Sequence, residues 1–230
     1  MPDEVSGVLF KESGMKRMMV FVTAATMVAS GLQAQQASPD AATRIRQALS
    51  APQAEAVLAI IADAKAAGLP DGALEHIAFQ GIARAVRPEQ VVTAVREAAA
   101  DFAAGRSALA AGGHTGNSAE VTAAGEALGR GVDGAAVSEL ARSAPSGRSL
   151  AVPLFVIGSL VDRGLPSDEA LAAVLERLQA RASDRELEGL PGQAGRLIAE
   201  GHRPSDVGRI LRETRPVPTH PGRPDGRGRP

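Results

Sequence analysis

One punctuation mark recurs along this chain and restricts what it can fold into. A helix ends at Gly or Ala, an apolar or turn residue follows, and Pro or Asp opens another helix. It reads Ala67-Gly68-Leu69-Pro70-Asp71, Ala85-Val86-Arg87-Pro88-Glu89, Arg130-Gly131-Val132-Asp133-Gly134, Arg163-Gly164-Leu165-Pro166-Ser167 and Glu200-Gly201-His202-Arg203-Pro204. Glycine just past a helix end accepts the left-handed conformation that closes the last turn. Proline in the first turn of the following helix forfeits no intrahelical hydrogen bond. The acids that come next (Asp71, Glu89, Asp168, Glu169, Asp206) complement the positive helix end. Each occurrence is therefore a helix–turn–helix joint.

Between the joints, apolar residues recur at helical spacing. Leu171, Val174, Leu175 and Leu178 form one stripe, Val91, Val95, Ala98 and Phe102 a second, and Val207, Ile210 and Leu211 a third. The segment Leu150–Val161 is apolar nearly all round (Leu150, Val152, Leu154, Phe155, Val156, Ile157, Leu160, Val161), with Pro153 near its first turn. Such a helix belongs in the middle of a bundle. It is also shorter than the roughly 20 residues that span a bilayer. No stretch alternates convincingly as a strand. The expectation is an all-α fold without a sheet: an irregular array or bundle of about eight to ten short helices in hairpins.

The joints at 68, 85, 131, 164 and 201 are separated by 17, 46, 33 and 37 residues, so no fixed solenoid period exists. Ile82–Val91 and Ile198–Val207 match best internally. A degenerate repeat would produce this pattern, and so would any bundle of short helices.

Met15–Ala34, MKRMMVFVTAATMVASGLQA, has the form of an export signal: basic Lys16 and Arg17, an apolar run to about Ala29, and small Ala34 before Gln35. Cleavage is expected between Ala34 and Gln35, and residues 1–14 then read as an upstream extension before the true start at Met15. The alternative is an uncleaved anchor. Thr23, Thr26, Ser30 and Gly31 interrupt the apolar run, and it falls short of a span. The chain has no cysteine, which excludes disulfides and a lipid-modified cysteine after the leader. The expected location is periplasmic or secreted.

After the leader, residues 35–111 and 118–214 read as two helical lobes joined by a glycine-rich linker at 112–117. The end, residues 215–230 (RPVPTHPGRPDGRGRP), is too rich in Pro and Gly to bury a core and is expected to be disordered. Its arginines could touch anionic lipid or a cell-wall polymer, or simply be solvated. Without residues 1–34 the net charge is still −1, and three phenylalanines (Phe79, Phe102, Phe155) are the only aromatics. A near-neutral chain without stacking platforms argues against nucleic acid as a partner.

No constellation of catalytic residues stands out. His76, His114, His202 and His220 show no i, i+4 metal-ligand spacing. Asp168/Glu169 and Glu186/Glu188 are the nearest carboxylate pairs for acid–base work on a glycosidic bond. The first is equally a helix-start charge, and the second a solvated face. The chain lacks a Gly-Lys-Ser/Thr phosphate loop and a Gly-x-Ser-x-Gly elbow. No catalytic, cofactor or metal residues are assigned.

The Gly-Leu-Pro turns, together with the run Gly147-Arg148-Ser149-Leu150-Ala151-Val152-Pro153-Leu154, resemble uncharacterised exported all-helical proteins of GC-rich bacteria. The likeness extends from about Pro52 to Glu213 and implies the fold, with no activity to lend. The functional expectation is an exported interaction or scaffold protein whose partner is a protein or peptide of the cell envelope. The alternatives are an envelope hydrolase or lyase with acids gathered by folding, and a membrane-anchored envelope protein.

Overall fold

A computed structural model describes residues 39–214. The expected cleavage position Ala34/Gln35, the leader, and residues 215–230 with His220 lie outside the described residues. Within them the protein is all-helical with no strand. The elements are α1 (Pro39–Ala48), α2 (Ala51–Ala66), α3 (Asp71–Ala83), α4 (Pro88–Ala111), α5 (Ser118–Gly129), α6 (Gly134–Ser143), α7 (Ala151–Val161), α8 (Ser167–Gln179), α9 (Asp184–Glu188), α10 (Leu190–Ala199) and α11 (Pro204–Glu213). The single turn α9 runs almost directly into α10.

Seven of these helices (α2, α3, α4, α5, α7, α8, α10) close in the same way. A residue with positive φ (Gly68, Ala85, Gly113, Gly131, Gly164, Arg181, Gly201) follows the helix end. The N–H of the next residue then bonds back to a carbonyl five positions earlier: Leu69 to Ala64, Val86 to Gly81, His114 to Leu109, Val132 to Ala127, Leu165 to Leu160, Ala182 to Arg177 and His202 to Leu197. This double-bonded closure satisfies carbonyls that would otherwise be orphaned. Leu69, Val132, Leu165 and Ala182 then turn inward and are buried. The same residue thus ends a helix and joins the core.

Two of the seven left-handed positions are not glycine. Ala85 (φ 52°) and Arg181 (φ 59°) hold a conformation that crowds Cβ against the following carbonyl. Substituting either by glycine is expected to raise stability by about 0.5–1 kcal/mol, because relief of this strain exceeds the added chain entropy. Urea midpoints should rise for Ala85→Gly and Arg181→Gly, and a fall in either would show that the side chain holds the turn.

One hydrophobic core runs from Ile45 to Leu211. The 24-residue α4 packs against α2, α3, α5 and α6, and α7 packs against α5, α8, α9 and α10. Residues 112–117 connect α4 to α5, which lie against each other, so the core continues across this stretch. The stripes of α4, α8 and α11 face inward, with Val91, Val95, Phe102, Val174, Leu178, Val207 and Leu211 buried. Arginines reach between helices to carbonyls at helix ends: Arg106 to Ala67 O, Arg148 to Ala182 O and Arg177 to Leu211 O and Thr214 O. Arg177 is itself buried. A buried guanidinium is tolerated here because it faces the negative end of α11.

Candidate functional site

Helix α7 is the central element expected from its sequence, with one departure. Leu154, Val156, Ile157 and Leu160 are buried, whereas Phe155 is 46% exposed. Along α7, Ala151 and Ser159 lie one turn either side of Phe155, so small side chains flank the ring. The ring itself is left partly uncovered, although Ser159 on the same face is buried. The sequence reading counted Phe155 with the core, because an all-apolar helix does not reveal which side chain is left uncovered.

Phe155 lies in an open groove of about 490 Å3 between the first turn of α3 and the outer face of α5. Pro70, Gly72 and Ala73 form one wall, and Ala119, Thr122 and Ala123 the other. The joint Gly68-Leu69-Pro70 sets the first wall: buried Leu69 anchors it and Pro70 turns the chain into α3. The spacing 119, 122, 123, 126 puts the second wall on one stripe of α5. Beneath them Gly158 allows α5 to approach, since a Cβ there would stand 3.2 Å from the Ala127 Cα. Arg130 crosses Gly158, and its guanidinium carbon lies 5.4 Å from the Phe155 ring centre. A cation at that distance from a ring face is favourable.

Asp71 and Glu126 form the charged rim. Lys65 Nζ is 3.5 Å from Asp71, and Arg130 is 3.7 Å from Glu126. Burial and the neighbouring Asp71 push the Glu75 carboxyl above its ordinary range, with Lys65 opposing. Thr122 Oγ1 donates to Ser118 O within its own helix. The groove therefore combines an aromatic floor, small apolar walls and two carboxylates. It contains no nucleophile set beside a base.

Two further grooves are less apt. Between α1 and α3, Arg44 already covers Phe79 at 4.3 Å from the ring centre. At the α3–α4 joint, Val86 is the exposed counterpart of Leu69, Val132 and Leu165, but its surroundings (Arg87, Glu89, Gln90, Glu97) are polar.

The polar residues singled out by sequence are placed apart. His76 lies 2.7 Å from Gln80 on α3, His202 is exposed in the α10–α11 joint, and His114 pairs with Glu120. Glu169 pairs with Arg212, and Glu186 caps α9 through Ser183. Accepting those Ser183 hydrogen bonds holds the Glu186 carboxyl below its ordinary range. Among the described residues no group of three or more His, Asp or Glu could hold a metal ion.

The polar centre that sequence reasoning missed is Glu120. Only 4% exposed, it accepts from Leu150 N–H at 2.9 Å and Asn117 N–H at 3.0 Å, with His114 Nε2 at 3.1 Å. Asn117 in turn accepts from Glu120 N–H, completing a capping box at the start of α5. The local signal, Asn117-Ser118-Ala119-Glu120, was present in the sequence. The long-range bond to α7 had no signal at all.

Compared with protein-family models, curated proteins and solved structures, the chain matches none of them.

Proposed function

We propose that this protein works outside the cytoplasm as a non-enzymatic interaction protein. Its α3–α5–α7 groove receives an apolar side chain from a protein or peptide of the cell envelope. One observation carries this reading. The most apolar helix of the array leaves a single large ring exposed, and that ring lies in a groove with small walls. Exposed aromatics in concave surroundings are typical anchor points for partners. One acid of each pair that a hydrolase would use is already engaged, Glu169 in an ion pair with Arg212 and Glu186 in the cap of α9, which favours binding over that alternative. The basic start and small-residue end of Met15–Ala34 support export. No helix among the described residues is long and apolar enough to cross a membrane.

Two measurements test the reading. N-terminal sequencing of the exported protein should begin at Gln35, and an intact Met15 start in the membrane fraction would replace export with anchoring. Capture of envelope proteins should drop about fivefold or more for Phe155→Ser, as for a buried aromatic anchor. The control Val86→Ser should leave capture unchanged. Equal capture by both variants removes the groove from the proposal.

A further inference from the structure

We infer that the Phe155 groove is an internal docking site for this chain's own proline- and arginine-rich segment, residues 215–230. The inference concerns the same groove but does not depend on the groove having an external partner.

The groove calls for an occupant with flat apolar surface and guanidinium groups. Its floor offers the exposed ring of Phe155, and its rim offers Asp71 and Glu126. The cations beside those carboxylates stand at 3.5 and 3.7 Å, beyond the roughly 2.7–2.9 Å of a charge-assisted hydrogen bond. Among the described residues neither carboxylate accepts a hydrogen bond, so both retain acceptor capacity.

Residues 215–230 supply the complement. They hold five prolines and four arginines against the single Asp225. Arg215, Pro218, Pro221 and Pro224 recur at intervals of three. In a polyproline helix, with three residues per turn, that spacing puts one arginine and three prolines on a single edge. Proline-rich segments dock on aromatic-lined grooves because little chain entropy remains to be lost. Overall charge favours the same pairing: residues 39–214 carry 18 basic and 22 acidic side chains, opposite in sign to the segment.

The connection is long enough. The segment follows Thr214, whose carbonyl Arg177 of α8 holds. Helix α11 packs on α8, and α8 packs on α7, which carries Phe155. Two interhelical steps of about 8–10 Å each separate the starting point from the groove helix. Seven residues at about 3.1 Å each cover that path, which brings Pro221 and Pro224 within range of the groove. Docking would cover Phe155, and an external partner would then have to displace the segment.

The chain has no tryptophan, so Phe155→Trp installs a sole indole in the groove. Acrylamide quenching of that indole should be at least about twofold weaker in the full chain than in a chain ending at Thr214, because a docked segment excludes the quencher. Replacing the four segment arginines with glutamine in the full chain, or adding about 0.5 M NaCl, should remove most of the protection. Equal quenching with and without the segment overturns the inference. Protection that grows with protein concentration also overturns it, by assigning the groove to a second copy. Amide hydrogen exchange on the unsubstituted chain guards against misfolding of the variant. The first turns of α3 and α5 should exchange more slowly when residues 215–230 are present, and unchanged exchange there is a further refutation. Neither readout requires an envelope partner, so failure here leaves the external-binding proposal standing.

Discussion

Gly125→Ala is expected to destabilise the protein by about 3 kcal/mol, and Gly125→Val by more, a large share of the stability of a domain this size. A Cβ at position 125 would lie 2.4 Å from Phe102 Cδ1 and 2.9 Å from both the Phe102 nitrogen and Cα. The ring could rotate away, but the backbone atoms could move only if α4 moved as a whole. The opposing position is equally tight: a Cβ at Gly105 would stand 2.7 Å from the Gly125 nitrogen. These two glycines are where α4 and α5 touch backbone to backbone. Gly105→Ala should therefore cost a similar amount, and the double variant less than the sum, because both substitutions open the same contact. Gly192→Ala is the control. Gly192 is helical, nothing lies within 4 Å of its added Cβ, and the substitution should stabilise by up to about 1 kcal/mol. Urea unfolding at neutral pH separates these outcomes. Equal behaviour of Gly125→Ala and Gly192→Ala would mean that α4 and α5 do not approach as described.

The contrast between those glycines shows which parts of the fold were legible in the sequence. Glycine at a joint announces itself, because helical periodicity stops on one side and Pro or Asp begins the other. Gly68, Gly131, Gly164 and Gly201 were read this way, as was the Ala85 joint, and all five occur as helix closures. The Arg181 closure escaped notice because its left-handed residue is neither Gly nor Asn. The Gly113 closure was read as part of a linker, since Gly112 precedes it and His114, Thr115, Gly116 and Asn117 follow, so no clear helix start marks the joint. Gly105 and Gly125 are different again. Inside a helix, glycine signals only a propensity cost until the register of two helices is known. Phe155 and Glu120 follow the same logic. Local sequence places each on a helix, but exposure of one and the α7 contact of the other depend on which helices become neighbours. Local closure chemistry was readable, and pairing was not.

Removing Glu120 is the second large perturbation, expected to cost about 3 kcal/mol for Glu120→Ala at neutral pH through the buried Leu150 N–H and the half-buried Asn117 N–H left without their acceptor. Both carboxylate oxygens are engaged. Oε1 takes the Leu150 N–H at the start of α7, and Oε2 takes the Asn117 N–H at the start of α5, with His114 Nε2 beside it. One side chain thus holds the first turns of two helices 30 residues apart. Glu120→Gln should be intermediate: its amide oxygen can replace one acceptor, while its NH2 group meets donors on the other side. Glu186, whose capping box on α9 is exposed, should matter far less. Acid provides an independent check. Burial by itself would raise the Glu120 carboxyl, but hydrogen bonds from Leu150, Asn117 and His114 outweigh it and hold it below the ordinary 4.5. The folded state therefore binds the proton less readily than the unfolded state does. The resulting stabilisation is fully present above 4.5 and is lost as pH falls through the lowered folded value. The stability gap between the natural chain and Glu120→Ala should accordingly be constant from pH 7 to about 5, then narrow as acid is added. A gap that stays level down to pH 3 would show that this carboxylate is not the ionised acceptor joining α5 to α7.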